Sequence, residues 1–126
     1  MVFAIQASNR CFRYQELCLL WSLAEEDSMP RLFAVMRSRG PAWNHSLPLE
    51  QQADWPSHAA FMNALHAEGF VLLGGPLEDT SDVLLIIRAN DANEIHARLS
   101  ADSWTSRDLL RIRQVLPWTL RLGALA

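Results

Sequence analysis

Few side chains in this sequence can move a proton or attack an electrophile near neutral pH. There are four histidines, two cysteines and one tyrosine, and all 11 basic residues are arginine. The missing lysine excludes Schiff-base chemistry. It also excludes a P-loop, whose GxxxxGK[ST] string is absent. His58 is the histidine best placed for chemistry. It follows Trp55-Pro56-Ser57, an expected helix start, and a neutral imidazole can accept a proton and return it. The same position also suits a structural histidine hydrogen-bonded near the helix start. Ser57 adjoins His58 in sequence, but adjacent helix positions do not face each other, so a Ser-His nucleophile pair is not expected. His66 and His96 read as ordinary helix residues, and His45 as a solvated loop residue or part of a lid. With neither HExxH nor CxxC spacing, no metal site is expected.

Other candidates carry two readings each. Asp102 either caps the loop after a second helix or takes part in chemistry. Gly74-Gly75-Pro76 is either a strand-ending turn or a place where a ligand nears the backbone. Trp43, Trp55 and Trp104 are either core residues or the walls of a pocket for a flat ligand. Arg111 and Arg113 alternate on the last strand, as surface charge or interface residues. Arg37 and Arg39 follow the first strand, and one arginine near that strand's end is expected to clamp a substrate carboxylate with its planar fork.

The elements that must hold these residues belong to one domain. The chain has 126 residues, 50% hydrophobic and 20% charged, enough for a real core. A net charge of −3 gives no basic excess, so nucleic acid is not an expected partner. The longest apolar runs, such as Val83–Ile87, are too short to span a bilayer. Cys11 and Cys18 read as free thiols in a reducing cytoplasm. Residues 1–28 stand apart as an N-terminal extension. Leu17, Leu20, Trp21 and Ala24 have helical spacing there, and Met29 is a candidate start of translation. A signal-peptide reading of Arg10, Arg13 and Leu17–Leu23 is interrupted by Glu16.

Residues 29–126 read as a succession of short elements. A strand over Leu32–Met36 precedes a long polar loop, residues 38–54, of the kind that serves as a lid or mobile segment. Pro56 opens a helix that Gly69 ends. Strands follow at Phe70–Leu73 and Val83–Ile87. Asp91 and Glu94 form a capping box for the second helix. The last strand starts at Leu110, and Pro117 marks a bulge or an edge. The order βαββαβ predicts an α+β, ferredoxin-like fold (split βαβ), a four-stranded antiparallel sheet with two helices on one face. The third strand is apolar without alternation, which suits burial on both faces. A second copy of the domain is the expected cover, making a homodimer.

The strings Trp55-Pro56-Ser57-His58-Ala59-Ala60-Phe61-Met62 and Gly69-Phe70-Val71-Leu72-Leu73-Gly74-Gly75-Pro76-Leu77 resemble the YCII-related (YciI-like) domain family. So do Asp102-Ser103-Trp104, where the family typically reads Asp-Pro-Phe, and Leu116-Pro117-Trp118-Thr119. The resemblance covers about residues 30–123 and implies a dimeric α+β barrel with an active site built on His58 and Asp102. One type of member is similar to dehydrochlorinases of chlorinated-aromatic degradation. The expected function is therefore cofactor-free acid/base chemistry, by elimination or isomerisation, on a small molecule. Trp55, Gly74, Gly75, Pro76, Trp104 and Arg37 are the expected substrate contacts. The alternative is a non-catalytic ligand-binding or interaction module of the same fold.

Overall fold

A computed structural model describes residues 30–125. The expected helix around Leu17–Ala24, both cysteines, Tyr14 and the candidate start at Met29 lie outside the described residues. Strand β1 (Arg31–Arg39) leads through a loop with one 3-10 turn (Leu49–Gln51) into helix α1 (Trp55–Ala67). Strands β2 (Val71–Pro76) and β3 (Asp82–Ala89), helix α2 (Ala92–Leu99), short helix α3 (Ser103–Ser106) and strand β4 (Leu110–Trp118) complete the chain. The sheet order is β2-β3-β1-β4 with every neighbour antiparallel. The ferredoxin-like α+β fold is therefore present, with α3 added before the last strand.

Period-2 alternation explains which side chains face the helices. Phe33 and Val35 of β1 and Leu85, Ile87 and Ala89 of β3 are buried together with Leu65 of α1 and Ile95 and Leu99 of α2. The same β1 stripe continues through Arg37 and Arg39, so a strand that begins as core ends at a cavity wall. Asp91 caps α2 by accepting from the Glu94 N–H at 2.9 Å. Glu94 answers by accepting from the Asn90 N–H at 2.8 Å, one residue before the expected partner.

The structure corrects one local expectation and refines two others. Gly74-Gly75-Pro76 does not end β2 but forms its second half. Proline is tolerated there because β2 is an edge strand and needs no ladder donor on its open side. Of the two readings of Pro117 the edge holds: it sits on edge strand β4, and the register break lies between Met36 and Arg37, against residues 112–114. The loop from Gly40 to Asp54 is internally tied instead of loose. Gln52, 3% exposed, accepts from the Asn44 N–H at 3.0 Å and donates to the carbonyls of Asn44 and Leu47 at 2.7 and 2.9 Å. Trp43 is buried. Gly40 lets β1 leave the sheet against residue 108, since a Cβ there would collide with the Asp108 carbonyl. Among the described residues no helix is long and apolar enough to cross a membrane.

Candidate active site

Three separate stretches of chain meet beneath the loop. Helix α1 brings His58, β1 brings Arg37 and Arg39, and the start of α3 brings its N-cap Asp102 and Trp104. Asp102, 1% exposed, N-caps α3 by accepting from the Trp104 N–H at 3.1 Å. The same carboxylate accepts from His58 Nδ1 at 2.8 and 3.0 Å and from Arg37 Nη1 at 3.0 Å. One side chain thus caps a helix and holds the histidine.

Trp104 supports the arrangement from behind. It has no exposed surface, and its indole N–H donates to the Ala53 carbonyl at 2.7 Å. The His58 ring lies flat on it, 3.8 Å between centroids and 4° from parallel. Trp43 meets Trp104 edge-on at 5.5 Å, and Trp55 tilts against both Trp104 and His58. Stacking fixes the imidazole plane, while Asp102 fixes its rotation within that plane and its tautomer. Since Nδ1 carries the proton given to Asp102, Nε2 is the free, basic nitrogen.

The charge balance is set by burial and by donors together. Burial alone would push the Asp102 carboxyl up. The hydrogen bond and charge of His58, the Trp104 N–H and the nearby Arg37 charge outweigh it and hold the carboxyl below its usual value. Burial pushes the Arg37 guanidinium below its usual value, with Asp102 opposing; arginine remains protonated regardless. A carboxyl whose pKa is depressed on folding stabilises the fold above its unfolded value of about 3.9. That contribution is lost as pH falls through the lower folded value. Acid titration of thermal stability should show this loss below about pH 4, and Asp102→Asn should remove that component of the pH dependence.

These side chains border a cavity of about 510 Å³, within the usual range for small-molecule sites. His58, Trp55, Trp104, Gly74, Gly75, Pro76 and Arg37 all line it. Asp102 does not, so it acts through His58. Gly74 and Gly75 differ in purpose. A Cβ on Gly74 would come within 2.6 Å of Leu85 Cδ2, whereas one on Gly75 would meet nothing within 4 Å. A side chain at Gly74 would thus force Leu85 to shift, and Gly75 leaves open space beside the backbone.

Arg37 requires a correction. Its second terminal nitrogen donates to Thr105 Oγ1 at 2.9 Å, and the residue is 1% exposed. With both Nη groups committed inside the protein, it braces Asp102 and is not a free carboxylate clamp. Sequence reasoning did not single out Thr105, Asn63 or Met62. Met62 and His66 follow His58 at i+4 and i+8 on one helix face, a spacing that could have placed them on the cavity wall. His66 Nδ1 donates to the Val71 carbonyl at 2.9 Å. Among the described residues no three His, Cys, Asp or Glu side chains gather as a metal site would.

Ser103 opens α3 with a buried hydroxyl that has no partner. The preceding Asp102 is already extended, at φ −69° and ψ 132°, as a residue before proline must be. Proline is favoured at a first helical position, where the N–H lies outside the helix ladder. Ser103→Pro should therefore raise the melting temperature, with a gain of about 0.5–1 kcal/mol. A lower melting temperature would contradict this.

Among curated proteins no match to the chain is found. One solved structure with a similar fold is 5-chloro-2-hydroxyhydroquinone dehydrochlorinase from Burkholderia phenoliruptrix, in complex with 2,5-dihydroxybenzoquinone. It is 23% identical, with a TM-score of 0.50, over 73% of this chain and 95% of that one. The YCII-related domain matches residues 32–119, the stretch from early β1 through β4 that contains every residue of the site. The chain belongs to the YCII-related domain family.

Proposed function

We propose that the chain is a small-molecule enzyme in which His58 moves a proton without a cofactor, in an elimination or isomerisation. The observation that carries this reading is the His58 ring on the cavity wall with Nδ1 held at 2.8 Å by a buried, anionic Asp102. Nε2 takes a C–H or O–H proton from the ligand, and the imidazolium that forms faces the Asp102 charge. In an elimination the electron pair left behind forms the new double bond, and the leaving group departs with its own pair. In an isomerisation the imidazolium returns the proton at another atom. Tryptophan walls suit a flat ring. The dehydrochlorinase of similar fold acts on a hydroxylated, chlorinated six-membered ring, and hydroxylated rings are the proposed substrate class here.

The test is proton exchange. Hydroxylated aromatic and quinone ligands that raise the melting temperature are incubated with the protein in deuterated buffer and followed by NMR. Chloride release is followed for their chlorinated forms. Deuterium incorporation or chloride release by the wild type, absent from His58→Ala, supports the enzyme. Ligand binding with neither reaction would make the domain a binding module.

We infer further that the sheet face opposite the helices closes against a second copy. Leu73, Leu116 and Trp118 remain 54%, 47% and 39% exposed, and their partners in register are Ile86, Ala34 and Leu32. An apolar surface of this kind marks an association site. Sedimentation equilibrium should give twice the chain mass at micromolar concentration, and Trp118→Glu should shift it toward the monomer. A wild-type monomer would overturn the inference.

A further inference from the structure

We propose that Arg39, stacked on Trp43 at the cavity, binds an oxyanion of the ligand, so the substrate is a planar acid bearing a carboxylate or an ionised hydroxyl. This takes the location of the site from the proposed function but does not depend on turnover. Arg39 is the next residue after Arg37 on the helix-facing stripe of β1, and both line the cavity. Their circumstances differ. Arg37 donates to Asp102 and Thr105. Arg39 has no carboxylate partner among the described residues; its Nε, like that of Arg37, is buried with no acceptor.

The guanidinium is nevertheless held in place. Its central carbon lies 4.4 Å from the Trp43 ring centroid, a cation–π contact that orients the cation while leaving its donors free. Trp43 is itself buried and packed against Trp104, on which His58 stacks. One aromatic assembly therefore positions both the base and the cation. The cavity lining contains arginines and histidines but no Asp or Glu, although the chain carries a net charge of −3. Segregating positive charge into an otherwise apolar pocket strengthens its attraction for an anion. A planar fork matches a planar oxyanion.

The probes are 2,5-dihydroxybenzoate and its uncharged analogue 2,5-dihydroxybenzamide, titrated by calorimetry into the full chain. The wild type should bind the carboxylate about 10- to 100-fold more tightly than the amide. Arg39→Met should abolish that preference while leaving amide affinity within about twofold, a change small on the scale of tenfold per 1.4 kcal/mol. Arg39→Lys should recover part of it. His58→Ala should keep the preference, which separates this proposal from the acid/base assignment. If Arg39→Met does not fold, Arg39→Gln is compared instead. Failure of the wild type to prefer the carboxylate, or a preference that survives in the folded Arg39 variant, overturns the proposal.

Discussion

His58→Ala should lower turnover by about 100- to 10,000-fold, the range for loss of a positioned acid/base group, while ligand binding persists. Under the proposed function the loss falls on rate, because Nε2 would act on the proton in flight, whereas the tryptophan walls and Arg39, proposed to hold the ligand, stay in place. The fold should survive. Asp102 keeps two of its three donors, Arg37 Nη1 and the Trp104 N–H. Loss of one buried hydrogen bond costs about 1–3 kcal/mol. Paired measurements of turnover and melting temperature decide the matter. Unchanged turnover would remove His58 from the chemistry, and collapse of the fold would make it a structural residue.

Arg37→Met should produce the largest loss of stability, about 3–5 kcal/mol, as for breaking a buried ion pair by removing one partner. Methionine fills much of the arginine volume, so the damage is electrostatic. The Asp102 charge would stay in a dry environment with His58 and one N–H for company. Chemical denaturation should show a lower midpoint with unchanged slope. The double variant Arg37→Met/Asp102→Asn should be less damaged than the sum of the single variants, because no charge is left to compensate. Strict additivity would show that the pair is not coupled.

Much of this site was legible in the residues before any fold was drawn. The capping-box spacing of Asp91 and Glu94, the Pro56 helix start and the period-2 stripe of β1 are local signals, and they survive in the structure. The family resemblance supplied His58 with Asp102. What local reading could not supply was the state of each arginine. Arg37 and Arg39 are alike in sequence, two positions apart on one strand. Arg37 is braced by residues 65 and 68 positions away, whereas Arg39 rests on Trp43, in the next loop. Only the closing of the sheet distinguishes them. Gly74-Gly75-Pro76 misled for a related reason. The string has turn chemistry, but an edge strand beside a cavity accepts the same residues.

The aromatic packing around the imidazole also gives the molecule an optical signature. Trp43, Trp55 and Trp104 form a chain of indoles with neighbouring centroids 5.5 and 5.7 Å apart, close enough for their electronic transitions to couple. Their mutual orientation is fixed, at 88° and 47° between ring planes, so the coupling should appear as a near-ultraviolet circular dichroism signal of its own. The Trp43–Trp104 part of that signal would vanish when the loop carrying Trp43 detaches, even while the far-ultraviolet spectrum still reports an intact sheet. Local opening of the site and unfolding of the domain can thus be timed separately in one unlabelled sample.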